Sequence, residues 1–155
     1  MDWVFNGKSI LNIEDLPNYE NLHGFIYLVT NLKTGKKYLG QKAFYHTNTK
    51  KLSKRAIAAL PDKRMSKKKV TIKESDWKSY YGSAKNEEWG KELSATPETF
   101  IKREILELCC NKSYLTYAEV KWLFKLGALE SEQYANGNIL GKFYHKSTQN
   151  CNCGD

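Results

Sequence analysis

Nothing in this 155-residue sequence approaches the length of an apolar membrane span, and its N-terminus lacks a basic stretch followed by an apolar segment. Both absences predict a soluble chain that stays in the cytoplasm, with no membrane partner. Internal repeats and long low-complexity tracts are also missing, as is any zinc-finger spacing, so no separate recognition module is expected. Cysteine is sparse: Cys109, Cys110, Cys151 and Cys153. Without a secretory signal, reduced thiols are the default. His145 with Cys151 and Cys153 matches no common structural zinc site, and an ordinary terminus is the simpler reading.

Acid is what the middle of the chain lacks. Residues 31–73 hold fourteen Lys/Arg and one acid, Asp62, a local charge of +13; the rest of the chain sums to −5, giving the net +8. Lys50, Lys51, Lys54, Arg55, Lys63, Arg64, Lys67, Lys68, Lys69 and Lys73 form the dense part. Such a concentration is the electrostatic footprint of a protein that docks on a phosphate backbone. A solvated loop that aids solubility is the alternative for a basic run taken alone.

What is present points to a folded globule. The hydrophobic fraction is 41% and the aromatic fraction 13%, enough for one domain with a real core. Gly24-Phe25-Ile26-Tyr27-Leu28-Val29, the loop Asn31–Gly35 and Lys36-Lys37-Tyr38-Leu39-Gly40 read as a two-stranded hairpin over about 24–42. Residues 1–22 read as an arm or short helix packed on the domain. Residues 43–73 read as a partly flexible basic insertion with a helix-compatible patch at Leu52–Leu60, ended by Pro61. A polar helix is expected over 84–94, a third strand over Phe100–Cys109 and the strongest helix over Ser113–Leu126. Ile139–Tyr144 reads as a short edge strand, and 146–155 as a flexible tail. The fold class is therefore α+β, a small central antiparallel sheet of about three strands flanked by helices. The main domain spans 23–145.

The triplets Phe25-Ile26-Tyr27 and Tyr38-Leu39-Gly40 resemble the signature of the GIY-YIG endonuclease superfamily. Each departs from the consensus at one apolar or small position and keeps its tyrosine. Trp77-to-Ser83 and Tyr114-to-Glu119 resemble segments of its phage homing-type or freestanding members. The resemblance runs from Gly24 to about Tyr144, and it implies a hydrolase that cuts phosphodiester bonds of DNA; an RNA-directed nuclease is a third reading. By that resemblance Tyr38 orients or deprotonates water, Tyr27 assists, Asn136 orients cleft groups, and Glu119 holds Mg2+ or Mn2+, with water filling most other positions. The arginine found in relatives is displaced, since the position eight residues past Gly40 is Asn48. Arg55, on the helix-compatible patch, is the first candidate; Arg64 and Lys42 are the others. His46, Lys67, Lys68, Lys69 and Tyr81, or Tyr80 beside it, are further substrate-binding candidates.

Each residue also has a plainer reading. The tyrosines suit ordinary strand packing. Thr116-Tyr117-Ala118-Glu119 fits a capping box, unless the helix begins near Ser113. Asn136-Gly137 fits a turn. One site cuts one strand, so a double-strand break requires a homodimer or two sequential nicks. A protein that kept the fold, bound nucleic acid and lost the chemistry is the rival reading.

Overall fold

The computed structural model describes residues 1–83 and 85–139. The chain divides into two compact units: Met1–Phe44 with Asp76–Asp155, and Tyr45–Ser75.

The first unit is built on a five-stranded sheet in the order β2-β1-β7-β3-β4, formed by β1 (Trp3–Phe5), β2 (Lys8–Ile10), β3 (Gly24–Asn31), β4 (Lys37–Ala43) and β7 (Ile101–Cys109). The hairpin β3–β4 and the antiparallel β7 are the three strands expected. The sheet is wider because the N-terminal segment forms the hairpin β1–β2, and β1 joins β7 in parallel. β3 lies in the middle, and its aromatic and β-branched run is buried on both faces.

Strand alternation sends successive β3 residues to opposite faces. Phe25, Tyr27 and Val29 join Trp3, Phe44, Trp77, Trp89, Ile101 and Ile105 in one core. Ile26 and Leu39 join Tyr114, Leu115, Ala118 and Leu123 in the other. The second core sits under α3 (Lys112–Lys125), whose N-cap Asn111 accepts a hydrogen bond from the Tyr114 amide at 2.7 Å. Glu107 on β7 pins this helix: it accepts from the Tyr114 hydroxyl (2.5 Å), from the Trp122 indole (2.7 Å) and from the Lys121 ammonium (3.0 Å). Burial raises the Glu107 pKa, but these donors outweigh it and hold the carboxyl below its usual range.

α2 (Glu87–Ala95) is capped by Asn86, and its Trp89 is fully buried on the tyrosine side of the sheet. Cys109 is a free thiol, and burial pushes its pKa up to about 12. Adjacent positions send the two sulfurs to different cores, Cys109 under α3 and Cys110 against the opposite one. Among the described residues no helix is long and apolar enough to cross a membrane.

The second unit is a two-stranded antiparallel ribbon, β5 (Tyr45–Lys51) with β6 (Lys68–Glu74), connected through the short helix α1 (Lys54–Ala58). The basic insertion thus has regular structure where a partly flexible segment was expected. Its side chains are polar on one strand and mixed on the other, so no buried alternation announced the strands. Ile139 is not in a strand, and the rest of the anticipated edge strand and the tail lie outside the described residues.

Candidate active site

Tyr27 sits opposite Gly40 in the β3–β4 register, and Val29 sits opposite Tyr38. Tyr27, Tyr38, Gly40 and Lys42 therefore share one face of the sheet. The tyrosine rings lie 6.4 Å apart, centre to centre. Gly40 makes this possible: a Cβ there would overlap the Tyr27 hydroxyl and stand 2.7 Å from Cζ. A β-bulge beside Tyr27, where Ile26 faces Glu107 but Tyr27 faces Ile105, leaves Leu106 as the extra residue of β7.

Tyr80 completes the group. Its ring meets Tyr27 edge-on at 5.7 Å, and the two hydroxyls share a hydrogen bond. The Lys42 ammonium lies 3.7 Å above the Tyr80 ring and 2.6 Å from Asp76 Oδ1. Tyr38 stacks on Trp89 at 5.6 Å and bonds to the side chain of Ser83. Gly82, at φ +104°, makes that turn; a Cβ there would strike Trp89 and come within 3.0 Å of Tyr38.

Glu119 lies well inside α3, seven residues past its start, so it does not cap the helix. The helix packs on the opposite face, against the edge strand β4 among others. Even so, the Glu119 carboxylate is near enough to raise the pKa of both Tyr27 and Tyr38. The charge of this carboxyl is thus felt by two phenols remote from it in sequence. Burial alone pushes the Glu119 pKa from 4.5 to about 7. Burial, followed by the neighbouring Tyr80, also raises both phenols above their ordinary value. A phenol raised above its ordinary value of about 10 is neutral at pH 7, so both tyrosines are hydrogen-bonding groups there.

Asn136 reaches the same strand. Its Oδ1 accepts from the Leu39 amide at 3.0 Å and its Nδ2 donates to the Leu39 carbonyl at 2.7 Å. With the Lys37 amide donating to the Gln133 carbonyl and the Ala135 amide to the Lys37 carbonyl, residues 133–136 run along the outer edge of β4. In this geometry Asn136 positions the peptide between Tyr38 and Gly40.

Tyr81, the sequence choice for substrate contact, points elsewhere. Its hydroxyl bonds to Glu98, its ring lies 4.1 Å from the Arg103 guanidinium, and burial followed by the Glu98 bond raises its pKa to about 12. The backbone is extended at Tyr80, so its side chain and that of Tyr81 diverge. Arg103, which sequence reasoning missed, is buried and donates to the carbonyls of Met1, Lys78 and Tyr80. It fastens the segment that carries Tyr80. Arg55 and Arg64 belong to the other unit; within the first unit the Lys42 ammonium lies beside the tyrosines. Arg55 is exposed on α1; His46, Arg64, Lys67, Lys68 and Lys69 are exposed on the same unit.

Residues 3–146 match the model of the family described as "Putative endonuclease segE, GIY-YIG domain". The chain belongs to this GIY-YIG endonuclease family. The family fold agrees with the α+β sheet found here, widened to five strands, and family membership makes the chain a nuclease domain with a nucleic-acid substrate. No curated protein and no solved structure matches the chain.

Proposed function

We propose that this GIY-YIG domain is a metal-dependent DNA endonuclease, and one observation carries the reading. The Glu119 carboxyl, on a helix under one face of the sheet, acts electrostatically on the two phenols of the other face. A carboxyl whose pKa is raised by burial, with no cation among the causes of its shift, is a group that a divalent ion would stabilise in its charged form. Among the described residues no cluster of three or more acidic, histidine or cysteine side chains offers a protein-made cage. One carboxylate with water and phosphate oxygens in the other positions suits Mg2+ or Mn2+. Bound by Glu119, such an ion supplies positive charge to a phosphate and its leaving oxygen.

The chain's own groups do the rest. Tyr38, held by Trp89 and Ser83, orients the attacking water through its neutral hydroxyl. Tyr27 and Tyr80 form the hydrogen-bonded floor beneath it. Lys42, fixed by Asp76 and the Tyr80 ring, neutralises charge on the phosphate. Asn136 holds the β4 peptide that aligns Tyr38 with Gly40. With one such site per chain, a double-strand break takes two nicks or two copies.

Supercoiled plasmid at a stated salt concentration tests the reading. Nicking should need Mg2+ or Mn2+, stop with EDTA, and disappear in Glu119→Ala while DNA binding persists. Tyr38→Phe should slow nicking at least tenfold. Binding without nicking in either metal would leave a non-catalytic binding protein, and preferential cleavage of RNA would move the substrate class.

A further inference from the structure

The Tyr45–Ser75 unit carries ten basic and two acidic residues in thirty-one, so its formal charge is +8. That equals the charge of the whole chain. Cross-strand register sorts its ribbon into two unlike faces. One presents the aliphatic Val70 and Ile72, 58% and 67% exposed, opposite Thr49 and Thr47, with the pairs Lys51–Lys68 and Tyr45–Glu74 at its two ends. The other presents three polar pairs: His46 opposite Lys73, Asn48 opposite Thr71, and Lys50 opposite Lys69. All six are exposed, and no ion pair among the described residues engages them.

The order of those pairs is informative. Asn48 and Thr71, neutral groups able to donate and accept, sit midway between two pairs that carry this face's cations. Four residues separate Lys50 from His46, so the outer pairs stand about 13 Å apart at ~3.3 Å per residue. The major groove of B-DNA is about 12 Å wide, admits a two-stranded ribbon, and is walled by phosphates. A-form RNA has a major groove too deep and narrow for such an element. An isolated two-stranded ribbon is only marginally stable, so a partner laid along one face would also order it.

We propose that the polar face of this ribbon lies in the major groove of duplex DNA, with Asn48 and Thr71 at base edges and His46, Lys50, Lys69 and Lys73 at the flanking phosphates. The choice of DNA rests on the nuclease reading above; the groove contact rests on the ribbon alone. Asparagine and threonine both suit purine and pyrimidine edges in that groove. The lysines supply the salt-sensitive part of the affinity.

Binding of the full chain to a duplex of about two helical turns, in EDTA and across a salt series, tests this. Lys50→Ala/Lys69→Ala/Lys73→Ala should weaken binding about a hundredfold near physiological salt and flatten the log–log salt slope by about 2–3. Replacing purine N7 by carbon, which needs no protein variant, should weaken wild-type binding at least fivefold; Asn48→Ala/Thr71→Val should be far less sensitive to it. Val70→Ser/Ile72→Ser, on the other face, should bind as wild type does. A triple variant with the wild-type slope, equal affinity for the N7-deleted duplex, or equal affinity for duplex RNA would each overturn the groove contact. Nicking assayed separately with Mg2+ keeps the two readings apart. Ribbon-dependent binding without nicking sinks the nuclease alone, and nicking with an unchanged salt slope in the triple variant sinks the groove contact alone.

Discussion

The carboxyl of Glu119 opposes the fold in the same ionised state that would bind a cation. Its pKa is about 7 in the folded chain against an ordinary 4.5. Below pH 4.5 it is protonated in both states and costs nothing; as pH rises through 7 the unfolded chain gains the advantage, by at most about 3 kcal/mol. Glu119→Gln should therefore raise the melting temperature by several degrees at pH 8 and leave it unchanged at pH 4. Mg2+ should raise the melting temperature of wild type at pH 8, less at pH 6, and not that of the variant. A flat difference across pH would show that the half-buried carboxyl is not desolvated in the folded chain. Gly40→Ala is the second residue-scale case. A methyl group would push the Tyr27 ring aside, at a cost of about 1–3 kcal/mol that reduced freedom of the unfolded chain offsets in part. Nicking should fall more than tenfold while DNA affinity holds. At this scale the shared face of Tyr27 and Tyr38 and the place of Glu119 inside the helix were legible, because strand alternation and the helix start fix them. Tyr80 was not distinguishable from Tyr81, since only the local backbone decides which of two adjacent rings turns toward Tyr27.

Elements matter here through how they are clamped. α3 carries Glu119, and what fastens α3 to β7 is the trio of donors on Glu107. Glu107→Gln keeps the shape and removes the charge that the Lys121 ammonium pairs with, so stability should drop by about 2–4 kcal/mol. Nicking at a temperature where the variant is still folded should fall as well, because Glu119 loses its bearing; full activity there would show that the clamp serves stability alone. The elements with long apolar runs, β3, β7 and α3, were evident from sequence. The three-residue strands β1 and β2 are too short for any periodicity, and the pairing of β1 with β7 follows from burial of Trp3 against Phe25 and Tyr27. β5 and β6 were missed for the opposite reason: with every residue exposed they bury no face, and alternation is legible only where one face is buried.

Taken whole, the molecule separates charge from chemistry. Outside Tyr45–Ser75 the sequence holds fifteen basic and fifteen acidic residues, so the unit bearing the tyrosines and Glu119 is formally neutral. The sheet owes nothing to the ribbon for its pairing, since every strand of its order lies in the first unit. The chain leaves and re-enters that unit at one place: the ring of Phe44 packs on that of Trp77, 5.2 Å apart and nearly perpendicular. A linker of about four Gly/Ser residues in place of 45–75 should close this gap at little entropic cost. The shortened chain should fold, with a melting temperature within a few degrees of the parent. Its DNA affinity should fall steeply and lose most of its salt dependence, because the whole net charge has been removed. With Mg2+ and high protein concentration it should still nick, since Tyr27, Tyr38, Lys42 and Glu119 all remain. Loss of the circular-dichroism signal of the sheet would show instead that the ribbon is part of the fold; a folded chain that never nicks would place a necessary group, Arg55 or Arg64 first, on the removed unit.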